Sequence, residues 1–104
     1  MIGRSYSWDA TFTAVDPNSV NLSIETSANF SQEFLTFVLW KKQGDIDGET
    51  SYTGAGDMSI NDRHFVFHGL KPNTTHSFVV DTFRRSNLER FSIERSVTTP
   101  PECE

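Results

Sequence analysis

Hydrophobic and polar residues alternate along most of the chain, in short stretches separated by turn residues. Residues 19–25 place Val20, Leu22 and Ile24 on one face and Asn21 and Ser23 on the other, as in a strand with one buried face. Six further stretches have strand character, namely 5–13, 34–42, 49–53, 64–70, 75–83 and 91–98. No segment has sustained helical periodicity. The pattern predicts seven strands in an all-β sandwich.

The third predicted strand, residues 34–42, is apolar on both faces. One face carries Phe34, Val38 and Trp40, and the other carries Leu35, Phe37 and Leu39. A two-layer sandwich buries only one face of each sheet. Either the register of this strand is ambiguous from the sequence, or some of these side chains form an outward patch for a partner or a neighbouring domain. The sequence leaves open which face is buried, and it predicts a loop at residues 43–48 after the strand.

Length and charge exclude several classes of protein. A chain of 104 residues has room for only one hydrophobic core, and this excludes most two-domain enzymes. A net charge of -5 opposes binding to nucleic acid or to anionic lipid. The longest apolar run, residues 34–40, is far shorter than the roughly 20 residues that cross a bilayer, so we expect no membrane insertion. The single cysteine, Cys103, forms no internal disulfide; it either pairs with another part of a parent protein or is a free thiol.

Side chains that would carry out catalysis or bind a metal ion do not form a recognisable pattern. His64 and His68 lie four residues apart in a predicted strand, roughly 13 Å along it, which is too far to share one metal ion. The acidic residues between Asp45 and Glu49 lack the ligand spacing of an EF-hand, so a solvated acidic turn is favoured. Neither a nucleophile with its base nor a phosphate-binding loop is present. We therefore expect no enzyme activity, no metal and no cofactor.

The last third of the chain resembles the fibronectin type III family. Residues 70–80 read Leu-Lys-Pro-Asn-Thr-Thr-His-Ser-Phe-Val-Val and residues 97–101 read Val-Thr-Thr-Pro-Pro, similar to the family's Leu-x-Pro-Gly-Thr-x-Tyr-x-Val-x-Val motif and Thr-Pro exit. Two positions depart from the pattern: Ile24 stands where the family usually has Trp, and His76 stands where it has a corner Tyr. The hydroxyl of that Tyr makes a hydrogen bond to an upstream backbone group. His76 is the candidate corner residue, and it either makes a shorter version of that bond or is exposed.

The resemblance implies a seven-stranded, immunoglobulin-like Greek-key sandwich of fibronectin type III type. We expect its core to contain Trp8, Phe12, Val20, Leu22, Ile24, Phe65, Phe67, Leu70, Phe78, Val80, Ile93 and Val97. Residues 6–100 are the expected domain and residues 101–104 an exit linker. Residues 1–5 are expected to be linker or residues added for expression; no apolar segment follows them, so we expect no signal peptide and a larger parent protein.

Three Asn-x-Ser/Thr sequons suggest an extracellular location. Asn21, Asn29 and Asn73 each begin such a tripeptide without proline, on predicted outward or loop positions. The alternative is that none of the three is glycosylated, because a chain rich in serine and threonine contains such tripeptides by chance.

Basic residues are unevenly distributed and are candidates for a partner-binding site. We expect Arg84, Arg85, Arg90 and Arg95 to gather on one sheet edge beside Lys41 and Lys42. A sulfated glycan or an acidic protein would bind there. The alternative is a solvated face in which the arginines pair with Glu89 and Glu94.

The function that the resemblance implies is a non-catalytic extracellular module of a cell-surface receptor or adhesion protein, which contacts a protein partner or neighbouring domains or acts as a spacer. Fold alone does not identify the ligand. Two alternatives are an accessory spacer domain of a secreted carbohydrate-active enzyme and a module that binds sulfated glycans.

Overall fold

Two antiparallel sheets pack face to face in the part of the chain that the structure, a computed structural model, describes: residues 7–28, 30–46 and 49–102. The elements in chain order are β1 (Trp8–Asp16), β2 (Ser19–Thr26), α1 (Phe30–Glu33), β3 (Phe34–Ile46), β4 (Glu49–Ser59), β5 (His64–Phe67), β6 (Thr75–Arg84) and β7 (Arg90–Thr98). One sheet has the strand order β1-β2-β5 and the other β4-β3-β6-β7. The predicted seven-stranded sandwich is confirmed.

The core lies between the sheets and is built by the predicted alternation. Leu22 in the central strand β2 is fully buried and lies opposite Phe12 on one side and Phe65 on the other. Of the expected core residues, those that are buried are Val20, Leu22, Ile24, Phe67, Leu70, Phe78 and Val80. Those that are partly buried against this cluster are Trp8, Phe12, Phe65, Ile93 and Val97. The expected core is therefore present. It also contains Phe30, Phe34 and Phe37, which were not in the expected set.

Strand β3 directs Phe37 and Leu39 inward, where both are fully buried, and leaves Val38 and Trp40 half-buried on the outer face. The register against β6 is irregular between Phe34 and Phe37, so the alternation changes there and Phe34 also points into the core. The bulge therefore places Phe34 on the inward face with Phe37 and Leu39, whereas Val38 and Trp40 remain apolar residues on the outer face.

Strands β3 and β4 form a longer hairpin than predicted. The predicted loop at residues 43–48 is wrong for residues 43–46, because β3 continues to Ile46; Asp47 and Gly48 lie outside the described residues. Strand β4 extends to Ser59 rather than ending at residue 53. The extension and the turn after it bring Met58 and Ile60 into the core.

The single-turn helix α1 closes one end of the sandwich. Its Phe30 is fully buried and stacks on Phe34, with ring centroids 4.1 Å apart and planes 9° apart. The same ring lies 5.9 Å from Phe37 and 6.2 Å from Trp8. One helical turn is unstable in isolation, so packing of Phe30 holds it in place. Four residues are also too few to show a helical period, and the sequence accordingly predicted none.

The loop between β5 and β6 is fastened at a corner that His76 builds. His76 is only 7% exposed, and its Nε2 lies 3.1 Å from the carbonyl oxygen of Lys71. Because a carbonyl only accepts, Nε2 is the donor. The hydroxyl of fully buried Thr99 donates to the same carbonyl at 2.6 Å and accepts from the Thr74 N–H at 3.1 Å. The corner therefore ties the loop before β6 to the chain that leaves β7.

Candidate functional site

An open groove of about 520 Å³ runs over the outer face of the four-stranded sheet. Its apolar lining comes from Trp40 in β3, Tyr52 in β4 and Val79 in β6. Its polar lining comes from Asp81 in β6 and from Arg90, Ser92 and Glu94 in β7. Alternation explains the polar set, because the inward residues of β6 and β7 include Val80 and Ile93, and their neighbours in sequence point outward.

Asp81 is a buried carboxylate on this outer face. It is 4% exposed, and its two oxygens have separate donors: Trp40 Nε1 lies 3.0 Å from Oδ2, and Ser92 Oγ donates a short hydrogen bond to Oδ1. An unpartnered carboxylate in this position would be costly, and these bonds remove that cost. They also connect β3, β6 and β7. Trp40 is therefore held in a defined orientation at the groove.

The charges around the groove are separated along β7. Glu94 is exposed and lies opposite Val79, whereas Arg90 is exposed and lies opposite Phe83. Four residues of strand place these two backbone positions roughly 13 Å apart. Within residues 7–28, 30–46 and 49–102, no Lys or Arg side chain forms an ion pair with Asp81 or Glu94. One end of the groove is thus acidic and aromatic, and the other end carries a cation.

The six basic residues do not gather on one edge, and that expectation is wrong. Lys41 lies opposite Phe78 of β6, whereas Arg84 of β6 lies opposite Phe34. Six residues of strand separate these positions, or roughly 20 Å. Lys41 also shares the inward face with Phe78 and lines a cleft between β4 and β5.

Two of the arginines bridge elements by ion pairs with residues other than those expected. Arg84 Nε lies 2.6 Å from Oε2 of Glu33 in α1, and Arg95 Nη2 lies 3.0 Å from Oδ1 of Asp9 in β1. Within the described part of the chain, these pairs replace the expected ones with Glu89 and Glu94.

The remaining basic residues differ in their exposure and position. Arg85 is exposed beyond the end of β6, Lys42 is half-buried opposite Tyr52, and Arg90 alone of the six lines the groove. Whether any of the six binds a partner stays a prediction.

The sequons occupy the other sheet and a turn. Asn21 lies between buried Val20 and Leu22, so its side chain points out from the three-stranded sheet. Asn73 is exposed in the turn before β6 with φ 50°, a left-handed conformation that asparagine tolerates. Asn29 and Cys103 lie outside the described residues.

Among residues 7–28, 30–46 and 49–102, no three His, Cys, Asp or Glu side chains come together in a way that would hold a metal ion. His64 is exposed on β5, and His68 lies just beyond that strand with Nδ1 3.4 Å from Ser19 Oγ.

A separate observation concerns membranes: no helix in the described residues is long and apolar enough to cross one.

Sequence reasoning did not identify the groove. Alternation alone shows that Asp81 points away from Val80 and Thr82. Only the pairing of β3 with β6 and of β6 with β7 shows that Trp40 and Ser92 are its neighbours. Two signals were available: the outward patch that the two apolar faces of residues 34–42 suggested, and an acidic residue at an outward position between Val80 and Thr82.

Comparisons with known proteins identify the fold. No protein-family model matches the chain, and no curated protein sequence matches it. The solved fn3 domain of the human collagen alpha-1(XX) chain is similar, with a TM-score of 0.69 and 14% identity over 98% of this chain and 90% of that one. The sixth fibronectin type III domain of human fibronectin type III domain containing protein 3 gives a TM-score of 0.68 and 19% identity over 99% of this chain and 94% of that one. The sheet orders and these two structures together establish that the chain has the fold of a fibronectin type III domain.

Proposed function

We propose that this chain is a non-catalytic interaction module in the extracellular part of a cell-surface receptor or adhesion protein, and that it contacts a protein partner through the outer face of the four-stranded sheet. The observation that carries the proposal is the meeting of Trp40, Tyr52 and Arg90 in one open groove. Trp, Tyr and Arg are the residue types most enriched among interface residues that dominate binding energy.

The groove is also preorganised for binding, because the Trp40 side chain is already fixed in the free protein. Trp40 is held by the carboxylate of Asp81, which is itself held by Ser92. A side chain that is already fixed loses less conformational freedom on association, so more of its contact energy appears as affinity. Trp40 is therefore the residue that we expect to contribute most to binding.

The extracellular location is supported by the positions of two sequons. Asn21 projects from the outer face of the three-stranded sheet, and Asn73 is exposed at a turn. A glycan on Asn21 would cover the sheet opposite to the groove and leave the groove open. The same chain thus has one face suited to glycosylation and another suited to contact.

A binding screen with matched variants tests the proposal. The domain, tetramerised for avidity, is applied to an array of cell-surface ectodomains as wild type, as Trp40→Ala with Arg90→Glu, and as Val66→Lys. Val66 is 39% exposed and lies opposite Asn21, so it reports on the other sheet. We call Trp40→Ala with Arg90→Glu the groove variant, and we expect it to bind every ectodomain that the wild type binds at least about tenfold more weakly, as for an interface hot spot. We expect Val66→Lys to bind the same ectodomains with unchanged affinity.

Urea unfolding of each variant checks that the sandwich is intact. Partners that bind the groove variant as tightly as the wild type, or that are lost only with Val66→Lys, would contradict the proposed surface.

A further inference from the structure

The acidic end of the groove, called the slot below, is lined by Trp40, Val79 and Glu94. Trp40, Val79 and Glu94 lie in one row across three adjacent strands, because Val79 is opposite Trp40 on one side and opposite Glu94 on the other. Neighbouring strands are about 4.8 Å apart, so the backbones of Trp40 and Glu94 are roughly 10 Å apart. Half-buried Val79 is the floor between them. The space between an indole and a carboxylate over an apolar floor suits a flat side chain.

The carboxylates of this slot, Glu94 and Asp81, form no ion pair within the described residues, and the nearest cation on the same face is Lys42, opposite Tyr52. Glu94 and Asp81 lie diagonally across β6 and β7 and both line the groove. Arg95, the cation next to Glu94 in sequence, pairs with Asp9 instead. The slot therefore holds negative charge beside Trp40 and Tyr52, and both ring types attract cations over their faces.

We infer that the slot between Trp40 and Glu94 receives an arginine side chain of the partner protein. The inference rests on the proposed function and specifies the chemistry of the partner. A guanidinium group is planar, stacks on aromatic rings and bonds to a carboxylate with two parallel N–H donors. Lysine has the charge of arginine but not its planar shape. An anionic glycan would be repelled by the carboxylates of Glu94 and Asp81.

The geometry also separates the slot from Arg90. Arg90 lies at the far end of the groove, roughly 13 Å from Glu94 along β7, and it contacts a different part of the partner. Neutralising Glu94 therefore weakens arginine binding in the slot, whereas neutralising an acidic residue on the other sheet leaves it unchanged. Glu25 is exposed in β2 and provides that matched control.

The test follows Trp40 directly. The chain has two tryptophans, Trp8 and Trp40, so a Trp8→Phe background leaves Trp40 as the only one. This protein is titrated with the capped peptide Gly-Arg-Gly, with the same peptide carrying lysine, and with the same peptide carrying citrulline, which keeps the shape of arginine without its charge. A sulfated oligosaccharide is titrated in parallel. Indole fluorescence is recorded. If Trp8→Phe does not fold, the indole N–H signal of Trp40 is followed by NMR in the wild type.

We expect saturable binding of the arginine peptide, at least about fivefold weaker binding of the citrulline peptide, and intermediate binding of a lysine peptide, because charge and planarity both contribute. Glu94→Gln is expected to weaken the arginine peptide by about fivefold and Glu25→Gln to leave it unchanged. Equal binding of the arginine and citrulline peptides, absence of arginine binding, full binding by Glu94→Gln, or a preference for a sulfated oligosaccharide would overturn the inference.

Failure of this inference is distinguishable from failure of the proposed function. An ectodomain that binds through Trp40, combined with equal affinities for the arginine and citrulline peptides, would refute the arginine slot alone. Tighter binding of the arginine peptide than of the citrulline peptide, combined with ectodomains that bind the groove variant as tightly as the wild type, would retain the arginine slot and contradict the proposed interaction surface.

Discussion

The corner at His76 makes a prediction about non-additive stability. The Lys71 carbonyl accepts from His76 Nε2 at 3.1 Å and from Thr99 Oγ1 at 2.6 Å. Because two donors share one acceptor, either single substitution leaves the carbonyl with one partner. The double substitution leaves it with none. The two substitutions are therefore expected to cost more together than the sum of their separate effects.

The expected magnitudes follow from the bonds that each substitution removes. His76→Phe keeps the ring but loses one hydrogen bond, which is worth about 1 kcal/mol. Thr99→Val loses the donor to Lys71 and also removes the acceptor of the Thr74 N–H, for a loss of about 1–3 kcal/mol. The double variant is expected to lose about 1–2 kcal/mol beyond the sum, because the carbonyl is then without a donor. His76→Tyr, which restores the family's corner residue, is expected to cost less than His76→Phe.

Urea unfolding at constant pH measures the free energy of unfolding of the wild type, both single variants and the double variant. The slope against urea concentration must be the same for all four if the unfolded state is unchanged. The matched control is Thr75→Val with Thr98→Val, whose hydroxyls are 2.7 Å apart on the exposed face of β6 and β7. That pair is expected to change stability by no more than about 0.5 kcal/mol for each substitution. A corner coupling below about 0.3 kcal/mol would refute the shared acceptor as a source of stability.

The same unfolding measurements check two further predictions. Phe30→Ala is expected to lower the free energy of unfolding by about 3–5 kcal/mol, because it removes the ring that fills the end of the core. Leu35→Ala, at a side chain 38% exposed, is expected to lower it much less, and equal losses for the two variants would contradict the role of α1. Gly56→Ala is expected to cost about 1–3 kcal/mol, because Gly56 has φ 137°. Gly54→Ala is expected to be nearly neutral, because the added Cβ would lie 3.8 Å from Trp40, and a larger loss at Gly54 than at Gly56 would count against the backbone conformation.

Much of the fold was predictable because it depends on local alternation. Val20, Leu22 and Ile24 occur at every second position and are all buried in β2. A bulge breaks this rule, because one extra residue reverses the faces. The bulge before Phe37 is why Phe34 and Phe37 are both buried, and no feature of residues 34–42 marks its position.

The candidate site was less predictable because its residues are far apart in sequence. The expected basic edge combined residues that end one strand with residues in the middle of another, and the antiparallel register separates Lys41 from Arg84. The sequence left open whether Trp40 is buried or belongs to an outward patch, and its carboxylate partner is 41 positions away. Cross-strand neighbours are determined by register, which alternation within one strand does not specify.

By itself, the sequence determined the number of strands, the inward face of β2 and β6, and the resemblance to fibronectin type III domains, since each depends on residues within a few positions of one another. Only the tertiary structure decided which face of β3 is buried, that α1 closes the core with Phe30, and that Trp40, Asp81 and Ser92 meet on one face. The physical reason is that a strand's side-chain period is local, whereas bulges, register and the packing of a single helical turn are selected by contacts between distant segments.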